Sequence, residues 1–195
     1  VRFFADKTRE TAIEIDMDMG RMDLNRIDVD GLLPDDECLS ALAAAIGAKL
    51  AALGWTVTVA ESCTGGGVGF VLTSVAGSSC WFEEGFITYA NAVKQRRLQV
   101  PNDLLENEGA VSESVVKAMA SGAVAASGAD CALAISGIAG PGGAVPGKPV
   151  GTVWFGWSVD GRVDAAVQHF EGDRSAVRRQ AIHYGLHELL ARLPV

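Results

Sequence analysis

The sequence has no run approaching the ~20 uninterrupted apolar residues that a membrane-spanning helix requires, and its first residues lack the apolar core of a secretory signal. The expectation is a soluble, cytoplasmic protein without a membrane partner. Cysteine is sparse and scattered: Cys38, Cys63, Cys80 and Cys131 form no C-x-x-C pair and have no histidine at ligand spacing. That pattern argues against a zinc site and against a disulfide framework, and it reads as reduced thiols. Histidine is scarcer still, with three in the chain. His183 and His187 lie four apart on one helical face but have no third ligand in view, so they read as surface or partly packed residues and no metal or cofactor is expected.

A basic stripe is also missing. The formal net charge is −8, and residues 1–37 hold eleven acids against five bases, leaving thirteen against eleven for the rest. The body is nearly neutral, which disfavours nucleic acid as a partner and requires any anionic ligand to be held locally. With 195 residues, 49% of them hydrophobic, the chain can build one domain with a substantial core. The expected division is an acidic N-terminal extension over 1–34 and a folded domain over 35–195. Within the extension, Ile13, Ile15, Met17 and Met19 alternate with acids at period two, the pattern of an edge strand or of an arm that pairs with another subunit. The chain opens without methionine, and Met22 is a candidate natural start. No function is assigned to this segment.

From Asp35 the period changes. Asp35 and Asp36 suit a first helical turn, and Leu39, Leu42, Ala43, Ile46, Leu50 and Leu53 recur at three or four residues until Gly54. A strand follows at about 56–60, then a glycine turn and a helix at about 67–75, broken by Gly77-Ser78-Ser79. Residues 85–89 read as a second strand, Asn91 as the cap of a short helix through Leu98, and Pro101 as the opening of another helix. Ser112 is expected to cap a longer helix with Val115, Val116, Met119, Ala120, Ala123 and Val124 on one face. Residues 131–135 are apolar on both faces, as in a buried central strand, and 152–159 are similar. Asp160-Gly161 suits the type I′ turn of a hairpin into 162–170, and a last helix is expected over about 173–193. The predicted fold is α/β: a three-layer α/β/α sandwich around a mixed, mostly parallel five-stranded sheet. Ligands of such sheets bind at the carboxyl ends of strands, where Ser62, Tyr89 and Ser136 fall.

Three loops at those ends carry chemistry. In Glu61-Ser62-Cys63-Thr64-Gly65-Gly66 a serine stands beside the unpaired N–H groups of a helix start, as a nucleophile or as a plain cap. Cys63 reads better as a small buried apolar residue than as a reactive thiol. In Tyr89-Ala90-Asn91-Ala92-Val93-Lys94 the lysine lies one turn inside its helix, where it can point back toward Ser62 or out to solvent with Arg96 and Arg97. A base role would require its pKa to fall from about 10.4 toward 7 to 8, which burial can achieve. Tyr89 alone would pack its ring and bond outward; with Ser62 and Lys94 it completes a Ser, Lys, Tyr set suited to attack on acyl carbon. The third loop has five glycines between Gly137 and Gly147 and reads as a ligand cradle or as a flexible connection. Arg174, Arg178 and Arg179 open the last helix, where the dipole disfavours cations, so either an anionic ligand or pairing with Glu171 or Asp173 is expected.

Seven ordered motifs over about residues 38–192 resemble the CinA C-terminal domain family. They are Ala60-Glu61-Ser62-Cys63-Thr64-Gly65-Gly66, Ala76-Gly77-Ser78-Ser79-Cys80-Trp81-Phe82, Gly85-Phe86-Ile87-Thr88-Tyr89-Ala90-Asn91, Gly109-Ala110-Val111-Ser112-Glu113, Ser136-Gly137-Ile138-Ala139-Gly140-Pro141, Lys148-Pro149-Val150-Gly151-Thr152-Val153, and Gly172-Asp173-Arg174 through Arg178-Arg179-Gln180. Characterised members of that family are nicotinamide-nucleotide amidohydrolases. The resemblance implies metal-free hydrolysis of the carboxamide of nicotinamide mononucleotide to nicotinate mononucleotide and ammonia, with Ser62 as nucleophile, Lys94 as its base and Tyr89 assisting proton transfer. The substrate phosphate is expected on Thr64, Gly65 and Gly66. Ser112, Ser136 or Arg174 would complete the pocket, and Asn91, Gly137 and Gly140 would line it. Many relatives carry a further N-terminal domain resembling molybdopterin-binding proteins, for which this sequence has no room, so the pyrophosphatase activity of the fused form is not expected. The alternative is a catalytically inactive nucleotide-binding protein of competence or damage response; a weaker third reading is an amidase or esterase on another phosphorylated small molecule. A homo-oligomer is expected from the apolar surface of a small α/β domain and the 13–19 arm.

Overall fold

In the computed structural model, which describes residues 33–195, the chain enters helix α1 (Asp36–Leu53) through Asp35, whose carboxylate accepts the Cys38 N–H at 2.8 Å. Gly54 ends the helix in the left-handed region, at φ 66°. The alternating segment at 13–19 and the arm reading lie outside the described residues. The remaining elements follow in order: β1 (Val57–Glu61), α2 (Gly67–Thr73), β2 (Phe82–Ile87), α3 (Asn91–Leu98), α4 (Asn102–Asn107), α5 (Glu113–Ser127), β3 (Cys131–Gly137), β4 (Thr152–Val159), β5 (Arg162–His169) and α6 (Arg174–Arg192).

The strands form one sheet in the order β2-β1-β3-β4-β5. β1 runs parallel to β2 and β3, while β4 is antiparallel to both β3 and β5. Four strands therefore point one way, although half of the neighbouring pairs are antiparallel. Side chains on alternate positions divide the core into two layers. Val57 and Val59 of β1 and Leu133 and Ile135 of β3 pack with Ile46, Leu50, Val177 and Leu186 of α1 and α6. Ala60, Ala132 and Ala134 face the other way, against Leu98, Val115, Met119 and Ala123 of α3 and α5. The alanines let α5 approach closely, and Gly156 completes the fit: a Cβ there would meet the Val116 carbonyl at 2.4 Å.

The hairpin turn is the expected one, with Asp160 and Gly161 both at positive φ. Two cap expectations are corrected. Asn91 is the first residue of α3, with Ala90 before it and no side-chain cap, and Ser112 occupies the cap position of α5 while its hydroxyl donates to the Gly109 carbonyl at 2.8 Å. β1 and β3 also run one and two residues further than expected, to Glu61 and Gly137. Ser62 follows directly after the first of these extensions. No helix among the described residues is long and apolar enough to cross a membrane.

Candidate active site

Consecutive residues of a strand point to opposite faces, and the end of β1 uses this. Glu61 follows Val57 and Val59 onto the α1/α2 face, where its carboxylate meets the start of α2. Ser62 comes next. Its N–H extends the parallel ladder by donating to the Ile135 carbonyl at 2.9 Å, and its hydroxyl oxygen lies 3.2 Å from Lys94 Nζ.

Lys94 is only 1% exposed, whereas Arg96 and Arg97 on the same short helix are at the surface. Besides Ser62, its amine meets the Thr88 carbonyl at 2.8 Å and the Tyr89 carbonyl at 3.3 Å. Among the described residues no carboxylate pairs with it. Burial without a counter-charge lowers its pKa from 10.5 to about 8, with the Cys63 thiol opposing slightly. As an ammonium the group donates to three oxygens. As an uncharged amine it keeps two N–H donors for the two carbonyls and turns its lone pair to the Ser62 hydroxyl. Cys63 is the opposite case: burial pushes its thiol up to about 11, so it packs as a small apolar residue and holds no thiolate at neutral pH.

Glu61 was quoted with the motif but given no role by sequence reasoning. It is 1% exposed, and its two oxygens accept the N–H groups of Gly66 at 3.0 Å, Val68 at 3.1 Å and Gly69 at 2.9 Å. The Gly65, Gly67 and Phe70 N–H groups go to the carbonyls of Ser62, Thr64 and Gly66. Every N–H from Gly65 to Phe70 thus has an acceptor. Of the donors expected to hold a phosphate, the Gly66 N–H is bonded to the Glu61 carboxylate and the Gly65 N–H to the Ser62 carbonyl, while the Thr64 N–H has no backbone acceptor among the described residues. A glutamate immediately before the serine and five to eight residues ahead of a glycine-opened helix was the available signal.

The other expected residues separate into two groups. Arg174 reaches across the mouth of the site, donating to the Gly140 carbonyl and to the Tyr89 phenol oxygen, both at 2.9 Å. The Tyr89 phenol is exposed and bonds to Arg174, while only its backbone carbonyl touches Lys94. Arg178 donates to the Thr64 carbonyl at 2.7 Å, and its Nε is buried without a partner. Thr64 and Thr88, both of which follow Ser62 in the chain, are buried with unpartnered hydroxyls. Ser136 and Ser112 bond elsewhere: Ser136 donates to the Ala110 carbonyl at 2.7 Å, so both hydroxyls fasten the loop before α5. Gly137 ends β3 against Val153, where a Cβ would come within 2.7 Å. Asn91 is exposed at the start of α3. Arg179 pairs with Asp36 rather than facing the site. His183 is buried, and burial together with His187 lowers its pKa; no cluster suited to a metal ion occurs among the described residues.

A three-layer α/β sandwich with a part-buried serine–lysine contact at the carboxyl ends of its parallel strands is a site class suited to acyl chemistry. The CinA C-terminal domain family model matches residues 39–193, and the chain belongs to that family. It is 55% identical over 153 residues to nicotinamide-nucleotide amidohydrolase PncC of Enterobacter agglomerans, covering 78% of this chain and 93% of that protein. PncC of Pseudomonas putida is 52% identical over 152 residues, covering 78% and 95%. The crystal structure of the competence damage-inducible protein A of Klebsiella pneumoniae subsp. pneumoniae MGH 78578 aligns with a TM-score of 0.78 at 39% identity, covering 80% of this chain and 96% of that one.

Proposed function

We propose that residues 35–195 form an amidohydrolase that converts nicotinamide mononucleotide to nicotinate mononucleotide and ammonia. The observation that carries the chemistry is the 3.2 Å contact between Ser62 Oγ and a buried Lys94 amine whose pKa is lowered to about 8. The substrate comes from the names of the amidohydrolase relatives. At pH 7 roughly a tenth of such an amine is uncharged, enough to act as a base without a costly prior deprotonation.

In this reading the uncharged Lys94 takes the Ser62 proton as Oγ attacks the carboxamide carbon. The resulting oxyanion is served by the N–H groups of Cys63 and Thr64, which have no backbone acceptor among the described residues; such donors contribute about 2.7 to 4 kcal/mol each. The Lys94 ammonium then gives its proton to the departing nitrogen, so ammonia leaves and an acyl-serine remains. Water, deprotonated by the same amine, releases the acid. Arg174 is assigned the substrate phosphate, because its present partners are uncharged and an anion would be its first counter-charge. Gly137, Gly140 and Asn91 are assigned to the border of the same site. Tyr89 is assigned to the mouth; an assisting role of its phenol in proton transfer requires it to leave Arg174. A cytoplasmic homo-oligomer working without a cofactor completes the proposal.

The test is ammonia release from nicotinamide mononucleotide by the purified chain, compared with Ser62→Ala and Lys94→Ala. Inert wild-type protein, or full activity in Ser62→Ala, overturns it.

A further inference from the structure

We infer that Glu61 is the positioning residue of this site, holding the Ser62 hydroxyl against Lys94 while keeping its own charge away from the amine. The inference rests on the amidohydrolase reading for its turnover assay and on the geometry of the turn for its argument.

A buried carboxylate is costly unless its oxygens are satisfied, and the usual solution is a cation. Among the described residues Glu61 has none. Its three partners are amides of one helical turn, at Gly66, Val68 and Gly69. Gly66 stands in the cap position of α2 and has no side chain with which to cap it, so the acceptor comes from the strand instead. One side chain therefore pins both ends of the segment that carries Ser62: the strand it leaves and the helix it enters. The Glu61 backbone continues the linkage. Its carbonyl accepts the Thr88 N–H at 2.8 Å, and the Thr88 carbonyl in turn accepts from Lys94 Nζ at 2.8 Å. Nucleophile and amine are thus both referenced to residue 61, one through its side chain and the other through its main chain.

Electrostatics assign the same residue a second consequence. A carboxylate turned toward Lys94 would hold the amine as a cation and remove the base. Strand alternation sends the carboxylate to α2, where the amide dipoles neutralise it, and leaves the Lys94 pocket without a counter-charge.

The experiment uses the full chain carrying Glu61→Ala and Glu61→Gln, with folding checked by circular dichroism. It follows ammonia release and, independently of any substrate, the rate at which a fluorophosphonate captures Ser62. Misplacement of a reacting group by about 1 Å costs on the order of 100-fold in rate. The expected result is a fall of that size in kcat and a parallel loss of Ser62 labelling, with KM changed less than about threefold. Acetate or formate, entering the space vacated in Glu61→Ala to accept the same amides, restores at least about tenfold of the lost rate, whereas chloride at equal ionic strength does not. A folded Glu61→Gln with wild-type kcat and labelling overturns the inference. So does a loss without carboxylate rescue, or a failure of both variants to fold, since the role is then structural. Wild-type protein that labels at Ser62 but releases no ammonia overturns the amidohydrolase reading instead and leaves labelling to decide on Glu61.

Discussion

Helix α6 begins at the candidate site with Arg174 and ends at the opposite edge of the sheet with Arg192, and the two arginines are treated differently. Arg192 lies 2.6 Å from Glu188, sits 4.0 Å above the Trp157 ring and occupies the helix end where the dipole welcomes a cation. Arg174 stands where the dipole disfavours it, and its acceptors are a carbonyl and a phenol. The contrast extends beyond the helix. A hollow of about 290 Å³ lies beside Arg192, lined by Trp157, Val159, Asp160, Arg162, Asp164 and Pro194, where acids and bases already stand together. At the Ser62 corner the buried cation Lys94 has only neutral partners, and the Thr64 and Thr88 hydroxyls have none. Unpartnered atoms alone do not separate the two edges, since Arg192 Nε is also buried without a partner; a buried cation without a counter-charge among the described residues, Lys94, does.

Changes at the reactive edge should cost activity, and changes at the other edge should cost only stability. The largest effect is expected for Ser62→Ala, a loss of ammonia release of about 10⁴-fold or more with the unfolding midpoint nearly unchanged, measured by steady-state assay and thermal melting. Lys94→Met follows, with a loss of about 10³-fold. The wild-type rate should rise with pH and level off above about 8, because the base must be uncharged, and a profile flat between pH 6 and 9 would remove Lys94 from that role. Arg174→Gln should lower kcat/KM by roughly 10- to 100-fold, mainly through KM, for the phosphorylated amide and leave the same amide without phosphate nearly untouched.

Stability supplies a smaller and separate signal. The native pKa of Lys94 is about 8 against an ordinary value of 10.5, so between these values the unfolded chain binds more protons than the native one. Stability therefore rises with pH across that window. Denaturant titrations should show wild-type protein gaining roughly 3 kcal/mol relative to Lys94→Met between pH 7 and pH 11. The smallest effect belongs to the far edge, where Arg192→Ala should lower stability by about 1 kcal/mol and leave ammonia release unchanged. A loss of turnover in that variant would erase the distinction between the two edges.

Much of the scaffold was legible because its signals are local. The period from Leu39 to Leu53, the stop at Gly54 and the Asp160-Gly161 turn each depend on a few neighbouring residues, and each element stands close to where its pattern put it. Asn91 was read as a cap although Ala90 holds that position, and Ser112 stands at the expected cap position while its hydroxyl turns to the Gly109 carbonyl, because a cap residue type states only that it can bond. Ser62 and Lys94 were visible as residues of the right type at strand and helix ends. Their contact spans 32 positions and depends on β1 and β2 pairing in parallel. Glu61 was visible as a letter in a motif, but its partnership with the α2 amides requires knowing that β1 runs one residue beyond its apolar run.

The chain's own chemistry determined that it would be a layered α/β protein with glycine turns at strand ends and a serine, a lysine and a tyrosine beside them, since periodicity and turn preference are properties of short segments. Tertiary structure decided which polar groups found partners. It gave the α2 amides to Glu61, withheld a counter-charge from Lys94 and drew Arg174 across to Tyr89 and Gly140. Desolvation and hydrogen-bond competition depend on everything packed around a group, and no stretch of sequence carries that information by itself.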